Sequence, residues 1–190
     1  MSITGIILCG GPGARIGGAD KPLLRWRNAT LIEHLAGRLS SQVDAIVISA
    51  NRNAATYAKF GKVVRDELAD YQGPLSGIAA CLPHCAGEFA FVCPGDAPLL
   101  PVDLAERLQR GLGQSAAAVA HDGHRRQNLH MLLRTSLINE LTLYLESGQR
   151  SVHGWLRGID ATDVNCAGDA ETFRNFNTTE DFIDSGGDST

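Results

Sequence analysis

Five glycines lie within residues 10–18, directly behind a short apolar run at residues 5–9. An apolar run of this length that ends in glycine is typical of a strand buried on both faces of a parallel sheet. Glycine also lets the backbone adopt positive φ and approach a ligand closely, so that several amide N–H groups can converge on phosphate oxygens. The sequence therefore predicts a strand followed by an anion-binding loop at the edge of an α/β sheet.

Two cations accompany these glycines in the segment LCGGPGARIGGADK, residues 8–21. Arg15 offers a planar fork of donors and Lys21 a point charge, and both suit a polyphosphate. Neither of the two common nucleotide loops fits this segment. A dinucleotide fingerprint requires a third glycine at position 16, which is isoleucine, and a P-loop requires a lysine at position 19, which is alanine.

Short apolar strands alternate with helices along the chain. Thr30 and Glu33 form the Thr-x-x-Glu pattern of a capping box, which places the start of the first helix at residue 31. The predicted strands are residues 5–9, 45–49, 62–65, 89–93, 116–120, 129–133 and 173–177, and the predicted helices are residues 31–40, 54–60, 75–82, 101–112, 137–146 and 151–157. This order predicts the α/β class: a three-layer αβα sandwich around a mostly parallel, Rossmann-like sheet, with an irregular C-terminal part that contains a β-hairpin.

The composition fits one globular domain. The chain has 190 residues, of which 44% are apolar, and 17 basic residues against 21 acidic ones give a net charge of −4. No general basic field is present to hold a nucleic-acid backbone, so we expect no nucleic-acid partner. We expect a single domain over residues 1–184 and a disordered tail at residues 185–190, which are small and polar.

The cysteines and the hydropathy of the chain indicate the cellular compartment in which the protein works. Five cysteines without framework spacing are typical of reduced thiols. The N-terminal segment has no basic signal-peptide region, and no run approaches the ~20 apolar residues of a membrane span, so we expect a cytoplasmic protein with no membrane partner. Cys81, His84 and Cys85 could suggest a metal knuckle, but no second ligand pair follows, and thiols on a buried helix face are the favoured interpretation.

The glycine-rich segment also reproduces a long family signature. The pattern L-x-G-G-x-x-x-R-x-G-x-x-K is matched by Leu8, Gly10, Gly11, Arg15, Gly17 and Lys21. With this pattern the chain resembles the nucleotidyltransferases that share the nucleotide-diphospho-sugar transferase fold, and among them it is most similar to the molybdenum cofactor guanylyltransferases. The supporting segments span nearly the whole chain and are residues 17–21, 49–53, 66–77, 94–100 and 173–178.

The resemblance implies a reaction and the residues that serve it. The family transfers GMP from GTP to the terminal phosphate of molybdenum-bound molybdopterin and releases pyrophosphate, with the assistance of Mg²⁺. The residues that the resemblance assigns to the donor are Leu8, Cys9, Gly10 and Gly11 through their backbone, Asp66 at the guanosine, and Arg15, Lys21 and Asp96 as catalytic residues at the triphosphate. Asp96 would also hold the metal. The pattern itself favours this role, because Asp96 follows a predicted buried strand and magnesium takes only one or two protein carboxylates.

Further residues follow from the same resemblance. Those expected at the base or the ribose are Asn51, Gly73, Pro74 and Leu75. Asn175 and Asn177 alternate along the predicted final strand, so that both could face the pterin substrate. Arg125 and Arg126 lie in a donor-rich stretch, residues 123–130, which either meets anionic groups of the substrate or forms a solvated basic hairpin.

In this reaction the protein has to align the two substrates and neutralise the charge of the phosphates. The terminal phosphate of the acceptor is already a nucleophile at neutral pH, so we expect no obligatory protein base and no covalent intermediate. The expected partners are GTP and molybdopterin, with other cofactor-biosynthesis proteins or acceptor molybdoenzymes as further candidates. Three other functions stay open: a cytidylyltransferase acting on the same pterin, a related sugar-phosphate nucleotidyltransferase, and a non-catalytic nucleotide-binding assembly module.

Overall fold

The computed structural model describes residues 2–10, 20–66, 73–176 and 181–182. The strands in this part of the chain are β1 (Ile3–Leu8), β2 (Arg25–Trp26), β3 (Ala29–Thr30), β4 (Ala45–Ser49), β5 (Lys62–Val64), β6 (Phe89–Pro94), β7 (Ala117–His121), β8 (Arg126–Arg134) and β9 (Thr162–Asn165). The α-helices are α1 (Leu31–Leu39), α2 (Ala54–Tyr57), α3 (Pro74–Cys81), α4 (Leu104–Leu112), α5 (Ile138–Glu146) and α6 (Val152–Gly158). Short 3-10 helices occur at Lys21–Leu23, Leu82–His84, Thr135–Leu137 and Ala167–Phe173.

Most strands of the described residues join one sheet in the order β5-β4-β1-β6-β8-β7-β9. β1 lies at its centre and pairs in parallel with β4 on one side and β6 on the other. β4 with β5 and β7 with β9 are also parallel pairs, whereas β8 is antiparallel to both of its neighbours. The predicted mostly parallel sheet is therefore confirmed, and so is the predicted hairpin, which β7 and β8 form.

Helices cover both faces of this sheet. One core joins the sheet to α1, α2 and α4, and its members include Ile7, Leu35, Phe91 and Leu108. The second core joins the sheet to α3, α5 and α6, and its members include Ile6, Ile78, Val92 and Trp155. Neighbouring residues of a strand point to opposite faces, so Ile6 and Ile7 enter different cores, and both are fully buried. The uninterrupted apolar run of β1 reflects this two-sided burial, and the predicted three-layer sandwich is confirmed.

The predicted capping box fixes the start of α1. The Thr30 hydroxyl accepts the Glu33 amide N–H at 3.3 Å, and the Glu33 carboxylate accepts the Thr30 amide N–H at 2.6 Å. These hydrogen bonds, first of all the one from the Thr30 backbone, lower the pKa of Glu33. The small hairpin of β2 and β3 leads into this helix, with Arg27 at φ 55° in its turn. Strands of two residues carry no periodicity, so the sequence pattern does not predict this hairpin.

The strand predicted at residues 173–177 is wrong. Ala167–Phe173 form a 3-10 helix, and residues 174–176 belong to no strand. Side chains anchor this segment instead: the Phe173 ring lies edge-on to His130 with 5.1 Å between centroids, and the Phe176 ring lies edge-on to Trp26, also at 5.1 Å. The last strand of the sheet is β9, whose polar sequence TDVN gives no apolar signal.

Several boundaries differ from the sequence prediction by a few residues. The helix predicted at residues 101–112 begins at Leu104, and the helix predicted at residues 54–60 ends at Tyr57. The tail predicted at residues 185–190 lies outside the described residues. Among the described residues, no helix is long and apolar enough to cross a bilayer.

The cysteines are free thiols, and four of the five are buried. Cys81 lies on the buried side of α3, and the Cys85 thiol donates to the Cys81 carbonyl at 3.6 Å. Burial raises the pKa of Cys81 to about 12 and that of Cys85 to about 11. Both side chains therefore carry protonated thiols at neutral pH, in keeping with the packing role favoured by the sequence.

Candidate active site

The ends of β1, β4 and β6 meet at the carboxyl edge of the sheet. Leu8, the last residue of β1, pairs with Ser49 on one side and Pro94 on the other. The hydrogen bonding continues beyond the strand, because the Cys9 amide N–H donates to the Ser49 carbonyl at 2.8 Å. Cys9 is buried and Gly10 is exposed. The backbone of Leu8, Cys9 and Gly10 thus reaches the edge where α/β sheets bind their ligands.

Gly95 lets the end of β6 pack tightly against this backbone. Its amide N–H donates to the Leu8 carbonyl at 2.9 Å. An added Cβ at Gly95 would lie 2.9 Å from both Cys9 Sγ and Pro22 Cγ, closer than real Cβ atoms approach. A glycine at this position therefore allows Asp96, the next residue, to sit directly beside the start of the glycine-rich segment.

Lys21 and Asp96 face each other at this edge. Lys21 Nζ lies 3.5 Å from Asp96 Oδ2, and each side chain is 19% exposed. Burial raises the pKa of Asp96 above its usual value, and the nearby Lys21 charge opposes that rise. A largely buried ion pair is weak evidence of net stabilisation, because desolvation of the two charges offsets their attraction. The importance of this pair is therefore positional, because it places a cation and a carboxylate at one point of the candidate site.

Asp96 is suited to be the single protein ligand of a Mg²⁺ ion. Magnesium prefers oxygen ligands and usually keeps one or two carboxylates together with phosphates and water. In the described ranges, no three His, Cys, Asp or Glu side chains cluster as a metal cage would require. Asp96 offers one such carboxylate at the carboxyl edge of the sheet, and its metal role stays a prediction.

Asn51 and Asp66 come together on the β4 and β5 side of the edge. The Asp66 amide N–H donates to Asn51 Oδ1 at 2.9 Å, and both residues are half-buried. The Ala50 amide N–H also donates to the Val64 carbonyl at 3.0 Å, so the two loops run side by side beyond their strands. Two of the residues predicted to contact the nucleoside are therefore neighbours, and the side-chain oxygen of Asn51 holds the backbone of Asp66.

The first turn of α3 lies beside the end of β4. Gly73 precedes the helix at φ 85°, a conformation that favours glycine, and Pro74 begins the helix. Leu75 is fully buried in the core under α3, so its side chain packs and only its backbone can border a ligand. An added Cβ at Gly77 would lie 2.5 Å from Ser49 Oγ. The sequence gives no signal for this approach of Ser49 and Gly77, because it arises from tertiary packing.

The C-terminal segment lies against Asp96. The Phe176 amide N–H donates to the Asp96 carbonyl at 3.0 Å, which places the half-buried Asn175 next to the candidate metal ligand. Arg174 pairs with Asp181 at 2.9 Å. The predicted alternation of Asn175 and Asn177 along a strand is wrong for the described residues, and Asn177 itself lies outside them. Asn175 reaches the site through the turn that follows the 3-10 helix.

The two hairpin arginines have different surroundings. Arg126 Nε lies 2.6 Å from Asp163 Oδ1, and its guanidinium also donates to the Ala161 carbonyl at 3.1 Å. These contacts hold β8 to the segment around β9. Arg125 has a side chain that is 78% exposed and lies 3.8 Å from Asp122. The sequence does not distinguish these arginines, but the structure gives Arg126 a structural contact and leaves Arg125 at the surface.

His130 is a buried group that the sequence analysis does not single out as a site residue. β8 runs antiparallel to β6, with Met131 opposite Val92, so His130 lies close to the carboxyl end of β6. Burial lowers the pKa of His130 to about 4, so the ring is neutral at pH 7. Its Nε2 has no hydrogen-bond partner in the part of the chain that the structure describes. The ring supports Phe173 and, through it, the C-terminal segment.

Gly11 and Arg15 lie outside the described residues, and their roles remain predictions. The described part still defines a class of protein. A mostly parallel sheet with helices on both faces carries a glycine-rich segment after its central strand, and a lysine and a carboxylate meet at the carboxyl edge. This arrangement is that of a nucleotidyltransferase.

Comparison with known proteins identifies the family. Residues 5–162 match the MobA-like NTP transferase domain, and the chain belongs to that family. It is 41% identical over 182 residues to a protein from Serratia proteamaculans named molybdenum cofactor guanylyltransferase, an alignment that covers 95% of this chain and 92% of the relative. A protein of the same name from Ralstonia nicotianae is 39% identical over 188 residues, with 93% and 92% of the two chains covered.

A solved structure supports the fold. Molybdopterin-guanine dinucleotide biosynthesis protein A from Archaeoglobus fulgidus superposes with a TM-score of 0.78 at 20% sequence identity, and 96% of each chain is covered. At this identity the likeness bears on the fold alone. The fold predicted from the sequence and the family resemblance are both confirmed.

Proposed function

We propose that this protein transfers GMP from GTP to the terminal phosphate of molybdenum-bound molybdopterin, forming the guanine dinucleotide form of the cofactor and releasing pyrophosphate. The Lys21 and Asp96 pair at the edge of the sheet carries this proposal, because it supplies the cation and the carboxylate that a nucleoside triphosphate and its metal require. The names of the relatives from Serratia and Ralstonia support the choice of GTP and of the pterin acceptor.

The donor would lie across the end of β1. The backbone of Leu8, Cys9, Gly10 and Gly11 would approach the nucleotide, with Asn51, Asp66, Gly73, Pro74 and Leu75 around the nucleoside. Asp96 would hold Mg²⁺, which when bound supplies charge neutralisation to the triphosphate. Lys21 and Arg15 would neutralise the phosphate oxygens.

The acceptor would enter from the side of the C-terminal segment, where the Phe176 backbone contacts Asp96, and Asn175 and Asn177 would bind it. Its terminal phosphate oxygen attacks the α-phosphorus of GTP, and the bond from that phosphorus to the pyrophosphate oxygen breaks as the new bond forms. The attacking phosphate is already anionic at neutral pH, so no protein base removes a proton and no enzyme-bound nucleotide forms. The protein aligns the two substrates, and Lys21 stabilises the charge that moves to pyrophosphate.

We further propose that the reaction takes place in the cytoplasm, where five free thiols stay reduced. The product is a large cofactor that acceptor molybdoenzymes or other cofactor-biosynthesis proteins would receive.

Ligand-dependent thermal stability tests the choice of nucleotide. The protein is melted with GTP, CTP, ATP or UTP, each with Mg²⁺, and we expect GTP to raise the melting temperature most. Preferential stabilisation by CTP would replace this proposal with a cytidylyltransferase. Pyrophosphate release from GTP is then measured with and without molybdenum-bound molybdopterin. Release that depends on the pterin supports transfer, whereas stabilisation without release indicates a nucleotide-binding assembly module.

A further inference from the structure

A side-chain hydrogen bond ties the end of the glycine-rich segment to the loop after β4. Asn53 Nδ2 donates to Asp20 Oδ2 at 2.8 Å, although the two residues are 33 positions apart. Asp20 directly precedes Lys21 in the sequence, and Asn53 directly precedes α2. The bond therefore reaches the residue that neighbours the candidate catalytic lysine.

The backbone of Asn53 indicates that its orientation is specific. Asn53 has φ 52° and ψ 31°, in the left-handed region that is costly for most residues other than glycine and that asparagine tolerates best. Asparagine before a helix commonly uses its side chain to cap the first turn. Asn53 makes no such capping bond and directs its amide to Asp20 instead.

Asp20 in turn shapes the short helix that presents Lys21. The Asp20 carbonyl accepts the Leu23 amide N–H at 2.9 Å, and the Lys21 carbonyl accepts the Leu24 amide N–H at 2.9 Å. Asp20 also lies near the buried Tyr57 hydroxyl, whose pKa is raised by burial and, to a lesser degree, by the neighbouring acidic groups. A shift of the Asp20 side chain would therefore disturb the turn that carries Lys21.

The charge of Asp20 makes its placement matter. A carboxylate next in sequence to Lys21 can compete with Asp96 for the ammonium group, and it repels a triphosphate bound nearby. A hydrogen bond from a neutral amide holds the carboxylate in one position without cancelling the charge of Lys21. The Lys21 ammonium can then lie at 3.5 Å from Asp96, as it does in the structure.

The loop after β4 that carries Asn53 also contacts the segment assigned to the nucleoside. Asn51, two residues before Asn53, accepts the Asp66 amide N–H at 2.9 Å. Residues 50–53 thus contact both the segment with the predicted nucleoside ligand and the segment with the predicted phosphate ligand. We propose that Asn53 is a positioning residue for nucleotide transfer, which fixes Asp20 so that Lys21 is directed to Asp96 and to the triphosphate. This inference rests on the proposed function.

Reciprocal substitution tests the bond itself. In Asn53→Asp two carboxylates face each other, and we expect the KM for GTP to rise about tenfold, the size expected for one lost charge-assisted hydrogen bond. The KM for the pterin acceptor should stay unchanged. Asp20→Asn with Asn53→Asp restores one amide-to-carboxylate bond with donor and acceptor exchanged, and it should recover most of the lost affinity. Lys59→Ala is the matched control, because it lowers the net charge of the chain by the same amount at an exposed position after α2. It should leave both KM values unaltered.

A second measurement needs no substrate. Hydrogen exchange of the Leu23 and Leu24 amides, which donate to the Asp20 and Lys21 carbonyls, should be faster in Asn53→Asp than in the wild type and should slow again in the double variant. A wild-type KM in Asn53→Asp, or a double variant no better than Asn53→Asp in either measurement, overturns the inference. If the wild type transfers no nucleotide, the proposed function fails, and the exchange rates alone then decide whether Asn53 fixes the turn.

Discussion

The Ser49 hydroxyl occupies the space that a side chain on Gly77 would need, since a Cβ atom there would lie 2.5 Å from Ser49 Oγ. Ser49 ends β4, and Gly77 lies in the first half of α3. Leu8 Cδ2, at 3.4 Å from the same point, completes the contact. The approach of helix to strand therefore sets the distance between the two loops assigned to the nucleoside.

We expect Gly77→Ala to destabilise the protein despite the better helix propensity of alanine, which is worth ~1 kcal/mol. The new methyl group must displace the Ser49 side chain or the helix, and overpacking in a close-packed site costs about 1–3 kcal/mol. The free energy of unfolding from urea titration is the measurement. Gly37→Ala in α1 is the control, because nothing lies within 4 Å of its added Cβ, and it should be neutral or stabilising. A Gly77→Ala variant as stable as wild type would contradict the contact.

Lys21→Ala and Asp96→Asn should each lower the rate of GMP transfer by about 100-fold or more, because each removes a charge aimed at the triphosphate or its metal. Each change leaves one largely buried charge of the pair without its partner, so the melting temperature should also fall, and rates are compared at a temperature at which all the proteins are folded. Rates are measured as pyrophosphate release, and folding is checked by circular dichroism. Lys62→Ala, an exposed change at the start of the edge strand β5, should keep the wild-type rate. Comparable rates in all four proteins would remove Lys21 and Asp96 from the mechanism.

The free energy of unfolding should decrease as the pH is lowered, because His130 is buried as a neutral ring. Burial lowers the pKa of the folded protein's His130 to about 4, below the ~6.5 of an unfolded histidine, so the unfolded chain binds the proton first as the pH falls. The contribution of His130 is thus fully present above pH ~6.5 and is lost progressively toward pH 4, by roughly 3 kcal/mol. His130→Leu, which cannot titrate, should show a flatter loss of unfolding free energy over this range. Parallel curves for the two proteins would contradict the burial of a neutral ring.

Thr30→Ala should cost about 1 kcal/mol, because it removes the side-chain cap of the Glu33 amide. For a domain of this size that loss corresponds to a fall of about 2–4 °C in the melting temperature. Scanning calorimetry measures it. Ser40→Ala at the other end of α1, where the hydroxyl only bonds the nearby Gly37 carbonyl, is the matched change and should have a smaller effect.

Local patterns predict the parts of the fold that depend on local chemistry. β4 spans residues 45–49 as the sequence predicts, because its central residues Ile46, Val47 and Ile48 alternate between the cores on the two faces of the sheet. α1 starts at Leu31, where the capping box places it. The position of Asp96 is also predictable, since a residue that follows a buried parallel strand emerges at the carboxyl edge of the sheet.

Contacts that long-range packing creates are the ones that the sequence does not reveal. The segment from Phe173 to Phe176 has aromatic residues like a strand, but the two rings pack on His130 and Trp26, and no strand among the described residues pairs with the segment. β9 is an edge strand with alternately exposed polar residues, and so it lacks an apolar pattern. The Asn53 and Asp20 bond depends on a left-handed asparagine, which no periodicity encodes.

β1 lies at the centre of the sheet, between the loops assigned to the nucleoside and the residue assigned to the metal. The loops after β4 and β5, with Asn51 and Asp66, reach the edge on one side of β1, and Asp96 after β6 reaches it on the other. Base preference and phosphate chemistry would then be encoded in separate stretches of sequence. An engineer seeking a different nucleobase could exchange residues 49–52 and the segment leading into α3 while leaving Asn53, Lys21 and Asp96 in place, so the nucleoside side of the site could be altered separately from the phosphate side.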